Sequence, residues 1–250
     1  MIRSSMSLRL LLMLQQNKIH RIFLKNIIEI NNTVKLDKDI SNHIKNVLRI
    51  RNNEEIKIFN GDGKEYNAKV EYQEKSITTT PYKLFRQTSK DDHQIILAQC
   101  IPNYKAMDLA IQKSTELGVN KIVPISSSRS HPGNHEKKID HWKKIIVHAT
   151  EQSNGLYLPV LDKVMSLEDF ISKHNNDQCY NICFNTMGRK IQPNDINHKL
   201  HAIMIGPEGG FSNQELELLK NYNWNIVTLG DRIFRTETAS IVAQIILRGY

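Results

Sequence analysis

The chain has 250 residues, room for one large domain or two ordinary ones with a buried core. At 40% apolar and 24% charged, with 11 Gly and 7 Pro, its composition excludes collagen-like, low-complexity and mostly disordered classes. Its net charge of +8 is uneven: residues 1–90 carry 17 basic and 9 acidic side chains, whereas residues 91–250 carry 17 of each. Such asymmetry fits either a polyanion-binding first third or a solvated basic face, and charge alone does not choose between them. Three cysteines argue against a disulfide framework and suit a reducing compartment. The longest apolar run, Leu10 to Leu14, is too short to span a bilayer, so a cytoplasmic protein without membrane contact is expected.

Residues 1–17 hold Arg3, Arg9 and several Ser and Leu, like a targeting segment, but no small-residue cleavage site follows. They are set aside as an N-terminal extension. From Ile19 to about Arg86 the pattern is mostly strand-like. His20 to Leu24 is a short β-prone run, and Glu55 to Phe59 alternates with period two. Asn60-Gly61-Asp62-Gly63 supplies a tight hairpin, and Glu65 to Tyr72 returns. One helix is predicted over Asp39–Arg49, with Asp37 as its cap. Residues 18–88 therefore read as a small basic β-domain carrying a helix.

Beyond a polar boundary at 87–93, strands and helices alternate through residues 89–250. Strands are expected at Gln94–Cys100, Lys121–Ile125, Cys179–Phe184, Ala202–Ile205 and Ile226–Leu229. Helices are expected at Lys105–Leu117, Lys137–Gln152, from the S-x-x-E capping box at Ser212 to about Tyr222, and at Glu237–Arg248. This alternation predicts a parallel sheet with helices on both faces.

The strongest local signal is Ile203-Met204-Ile205-Gly206-Pro207-Glu208-Gly209-Gly210, an apolar strand entering a glycine-rich turn before a capped helix. Open α/β sheets bind ligands at such carboxyl ends, and glycines let the backbone approach a ligand closely. A second segment of the same form follows, Val227-Thr228-Leu229-Gly230-Asp231-Arg232-Ile233-Phe234-Arg235-Thr236-Glu237. Glu237 suits a helix N-terminus, whereas Arg232 and Arg235 oppose the dipole there and point to an anionic ligand or a partner surface. Dinucleotide and P-loop glycine patterns are missing. His131 and His135 are separated by Pro132-Gly133, which breaks any helix that would align them, so no metal is expected. Cys179 and Cys183 read as core, and Glu116 and Glu151 as helix-end surface.

The two loops carry a resemblance. Gly206-Pro207-Glu208-Gly209-Gly210-Phe211, followed by Leu229-Gly230-x-Arg232-Ile233-x-Arg235-Thr236-Glu237-Thr238-Ala239, resembles the signature of the bacterial 16S ribosomal RNA uridine-N3 methyltransferases of the SPOUT superfamily. Lys113-x-x-Glu116-Leu117-Gly118-Val119, His148-Ala149-x-Glu151-Gln152-Ser153, Arg21-x-Phe23, His43 with Val47-Leu48-Arg49, and Phe59 to Gly63 are similar to further family blocks. The likeness covers residues 19–250.

It implies a PUA-like RNA-binding β-barrel followed by a SPOUT α/β domain with a C-terminal trefoil knot, acting as a homodimer on the small ribosomal subunit. It further implies S-adenosylmethionine as methyl donor. The cradle would comprise Ile205, Gly206, Pro207, Gly209, Gly210, Leu229, Gly230, Ile233 and Ala239, with Asn185 as a weaker candidate. Arg235 would stabilise a uracil anion, and Glu237 or Glu208 would act as base or orient a water. Arg21, Lys45, Arg49 and Lys64 would contact RNA phosphates. Asn154-Gly155 stands where the family usually has Gly-Arg, making Arg129 and Lys143 candidates for the missing RNA or subunit contact, and Asp231 replaces a common proline. A tRNA ribose 2′-O-methyltransferase and a non-catalytic RNA-binding protein of the same fold are the alternative readings.

Overall fold

The computed structural model describes residues 19–174 and 179–249, so the N-terminal extension at 1–17 lies outside the described residues. The chain divides into two units between Ser89 and Lys90. In the first, β1 (Arg21–Phe23) and β2 (Val34–Lys35) precede helix α1 (Lys38–Asn42), and β3 (Glu55–Phe59), β4 (Lys64–Gln73) and β5 (Ser76–Gln87) follow. The sheet order is β1-β3-β4-β5-β2, antiparallel except for the β1–β3 pair. The period-two pattern of β3 buries Ile56 and Ile58 against Ile22, Ile44, Ala68 and Val70. Gly61 and Gly63 take the positive φ values of 87° and 90° that the hairpin requires.

The helix differs from expectation. Asp37 caps it as predicted, its carboxylate accepting from the Ile40 N–H at 2.8 Å. After Asn42, however, the chain widens into a π-helix over His43–Leu48 and stops at Arg49 with φ 54°. The widened turn lets Ile44 and Ile50 both enter the core, and the Ile50 N–H reaches the Ile44 carbonyl at 3.1 Å. Packing thus overrides the simple helical period.

The second unit runs β6 (Gln94–Cys100), α2 (Tyr104–Glu116), β7 (Lys121–Ser126), α3 (Ile139–Gln152), β8 (Val160–Leu161), β9 (Met165–Ser166), α4 (Leu167–Lys173), β10 (Tyr180–Lys190), α5 (Pro193–Ile196), β11 (Leu200–Ile205), α6 (Asn213–Asn221), β12 (Asn225–Thr228) and α7 (Thr236–Arg248). All strand pairs are parallel, in the order β12-β10-β11-β6-β7-β8 with β9 beside β7. Along β6, Ile95 and Leu97 enter one apolar cluster while Ala98 and Cys100 enter the other, so the sheet is buried on both faces as expected. Cys179 and Cys183 are core residues, and burial pushes the Cys179 thiol up to about 11.

Among the features that escaped the periodicity are a short helix and a long strand. Helix α4 is only seven residues long, and its Ser166 cap is a single local signal. Strand β10 extends past Phe184 to Lys190 because residues 185–188 form a bulge, after which Arg189 pairs with the same Val227 that faces Phe184. This places Asn185 at the carboxyl end of the regular strand, beside the ends of β11 and β12.

Candidate functional site

The loop after β11 is held from several sides. The Gly210 N–H closes a turn onto the Pro207 carbonyl at 2.9 Å, and Gly210 takes φ +66°, a conformation that side-chain-bearing residues rarely adopt. A Cβ on Gly206 would stand 3.0 Å from the Phe211 ring, so the backbone and that buried ring meet only because position 206 is bare. Arg129 donates to the carbonyls of Gly209 at 2.7 Å and Phe211 at 3.4 Å. The loop then enters α6 through the anticipated capping box, Ser212 and Glu215 each accepting the other's backbone N–H.

Thr236, the first residue of α7, joins this loop to the second. Its hydroxyl donates to the Gly206 carbonyl at 2.6 Å and accepts from Gln99 Nε2 at 2.9 Å. Gln99 is fully buried. Sequence reasoning passed over it, although an amide enclosed by the apolar stretch Ile95–Cys100 is the kind of buried polar group that needs a partner. The loop from Leu229 to Arg235 has far less support. Thr228 Oγ1 bonds locally to the Gly230 carbonyl and N–H, while Arg232, Ile233 and Arg235 are exposed.

Both loops border one cavity of about 590 Å³, a volume ordinary for small-molecule sites. Of the residues expected to cradle a cofactor, Ile205, Gly206, Pro207, Gly209, Gly210, Leu229, Ile233 and Ala239 all line it; Gly230 does not. Phe184, Asn185 and Thr186 close the side formed by β10. Apolar walls and bare loop backbone suit a nucleoside joined to an amino acid, so the residues present fit S-adenosylmethionine. Arg232, Arg235 and Glu237 also line the cavity, and neither arginine has a carboxylate partner among the described residues.

The two candidate acids are placed differently. Glu208 accepts from the backbone and side-chain N–H groups of Asn103, the residue that caps α2. Burial raises its pKa, but the hydrogen bonds from Asn103 outweigh that and hold the carboxyl below the usual range. It is an ionised, engaged group and a weak base. Glu237 lies in the first turn of α7 at the cavity wall, with no side-chain hydrogen bond among the described residues.

The proposed RNA contacts do not share one environment. Lys45 and Arg49 are exposed beside α1, and Lys64 is half-buried at the start of β4. Arg21 is a correction: its side chain is 7% exposed, its Nε donates to Glu65 at 2.5 Å, and its guanidinium lies 4.6 Å from the Phe59 ring centre. With Arg86 it neutralises the buried Glu65 carboxylate, which makes it a structural cation rather than a free phosphate ligand. Arg129 serves the glycine-rich loop, and Lys143 pairs with Asp140 at 3.3 Å. Asn154 takes φ 62° after α3, a left-handed conformation that asparagine adopts more readily than most residues. No group of three or more metal-ligating side chains is found among the described residues, and no helix among them is long and apolar enough to cross a membrane.

Residues 89–248 match the family model of an RNA methyltransferase domain, and residues 36–81 that of an RNA methyltransferase PUA domain. The chain is 31% identical over 238 residues to the ribosomal RNA small subunit methyltransferase E of Rickettsia conorii, covering 93% of this chain and 97% of that protein. The crystal structure of a ribosomal RNA small subunit methyltransferase E from Neisseria gonorrhoeae bound to S-adenosyl methionine is similar with a TM-score of 0.82 at 31% identity, covering 92% of this chain and 97% of that one. A methyltransferase from Legionella pneumophila in complex with the same cofactor is similar with a TM-score of 0.87 at 28% identity, covering 93% and 98%.

Proposed function

The chain belongs to the ribosomal RNA small subunit methyltransferase E family, and on that premise we propose that it methylates N3 of a specific uridine in 16S ribosomal RNA with S-adenosylmethionine as donor. The observation that carries this reading is the convergence of the two loops on one cavity, with two arginines there that no carboxylate of the described residues neutralises.

The cofactor, when bound, supplies an electrophilic methyl group on a sulfonium. Ile205, Leu229 and Ala239 offer it apolar wall, and the backbone of Gly206, Gly209 and Gly210 offers close approach. Uracil N3 must lose its proton to become a nucleophile. Arg235, with Arg232 beside it, stabilises the resulting negative charge on the base. Glu237 is the better candidate for the group that receives the proton or orients a water, because Glu208 is committed to Asn103 and held at low pKa. Glu208 instead ties the loop to the start of α2. Holding the base in one fixed pose in the cavity would account for up to about 7–11 kcal/mol of the barrier.

Lys45, Arg49 and Lys64 contact phosphates, giving salt-dependent affinity without reading sequence. The trefoil threading of the C-terminal loops, pairing of two copies and action in the cytoplasm belong to the same proposal. The test combines the purified chain, labelled S-adenosylmethionine and unmethylated small ribosomal subunits, followed by digestion of the RNA to nucleosides. Labelled 3-methyluridine is expected. Label in 2′-O-methyl nucleosides, or none, overturns the assignment.

A further inference from the structure

The antiparallel pairing of β4 with β5 slips twice. Opposite the consecutive residues Glu65 and Tyr66 stand Arg86 and Leu84, and opposite Asn67 and Ala68 stand Lys83 and Pro81. Each slip leaves one residue of β5 without a partner, and both are aromatic: Phe85 and Tyr82. Bulges re-aim side chains, and these two turn toward neighbouring positions of β3. Tyr82 Oη donates to Glu55 at 2.7 Å, and the Lys57 ammonium lies 3.5 Å from the centre of the Phe85 ring. Glu55 and Lys57 are two apart on one strand and therefore share a face of the sheet. Both aromatics remain open to solvent there, Phe85 at 48% and Tyr82 at 38%.

The charge of that face selects its partner. The register sets Lys57, Asn67 and Lys83 in one row, Glu55, Lys69 and Thr80 in the next, and Phe59, Glu65 and Arg86 in a third, with Arg21 opposite Lys57. Five cations thus face two carboxylates, and one of these, Glu65, is already enclosed by Arg21 and Arg86. Solvent-open rings set among excess cations match single-stranded nucleic acid, whose bases stack on aromatic side chains while its phosphates pair with lysines.

We propose that Phe85 and Tyr82, presented by the two bulges of β5, form a base-stacking platform for single-stranded RNA, with Lys57, Lys69 and Lys83 as its phosphate contacts. The platform rests on the RNA-methyltransferase reading, which names its substrate, and adds to that reading how nucleotides away from the target uridine are held. Because every base has a π-face, the platform supplies affinity with little sequence preference.

The experiment uses the full chain carrying Phe85→Trp, Phe85→Leu or Phe85→Ala. Both native tryptophans, Trp142 and Trp224, are buried, so a tryptophan at 85 dominates any quenching by solutes. Titration with single-stranded oligouridylate of about 12 nucleotides is expected to quench Phe85→Trp strongly. Phe85→Ala is expected to weaken RNA binding by about tenfold or more, and Phe85→Leu, which keeps apolar bulk without a π-face, nearly as much. Affinity for S-adenosylmethionine should not move in any of them, which separates lost stacking from misfolding. Unchanged RNA affinity in Phe85→Ala overturns the platform. So does altered sedimentation of that variant with RNA affinity intact, which would make the face a contact between protein chains. Methyl transfer by the parent chain is followed in parallel: its absence, with Phe85→Ala still weakening RNA binding, counts against the enzyme reading and leaves the platform standing.

Discussion

The two loops that border the cavity are built on opposite plans. The Gly206–Phe211 loop is tied to Thr236, Arg129 and Asn103 and to its own turn, and it leads into a capped helix. Among the described residues the Leu229–Arg235 loop has just the local Thr228–Gly230 side-chain bonds, and it leaves two arginines and Ile233 in solvent, Ile233 at 85% exposure. A backbone cradle must have its shape before the ligand arrives, since ordering it on binding would weaken affinity. Side chains that meet the charge of a reacting base are needed only once that base is present. On this contrast, damage to the first loop removes cofactor binding, and loss of the second loop's arginines removes catalysis while sparing it.

Gly209→Arg should have the largest effect. Even a Cβ at this position would meet the Arg129 side chain at 3.3 Å, so a full side chain must enter the cavity or displace the clamp. Cofactor binding by calorimetry and methyl transfer are both expected to fall below detection, and unchanged activity would sink the site assignment. Arg235→Ala should lower kcat by about 10²- to 10³-fold with the cofactor Kd unchanged. An equal loss of cofactor affinity would erase the distinction between the loops.

Arg129→Ala removes charge-assisted hydrogen bonds to two loop carbonyls. Cofactor affinity should fall by about tenfold, near 1.5 kcal/mol, while RNA affinity and its salt slope stay put. A change in the salt slope instead would return Arg129 to the RNA contacts. The smallest effect is expected of Glu208→Gln. At neutral pH it should cost about 0.5–1 kcal/mol after solvent screening. The native carboxyl titrates below its unfolded value, so its contribution is complete above the ordinary glutamate range and fades as pH falls through the depressed value. Melting temperatures of variant and parent should therefore converge on acidification. A constant gap would point to lost packing rather than lost charge.

The alternation of strands and helices, the burial of the parallel sheet on both faces and the two cavity-lining loops were legible because each is written in consecutive residues. Period, glycine placement and the Ser212 capping box are local signals, and local chemistry enforces them. The arginine that clamps two loop carbonyls, the glutamine that supports Thr236 from inside the sheet, the ionised acid held by Asn103 and the two aromatics freed by slipped register were not. Arg21 and Glu65 are 44 residues apart, and Gln99 and Thr236 are 137 apart. A side chain's job depends on which groups share its surroundings, and only the folded chain brings those groups within hydrogen-bonding distance.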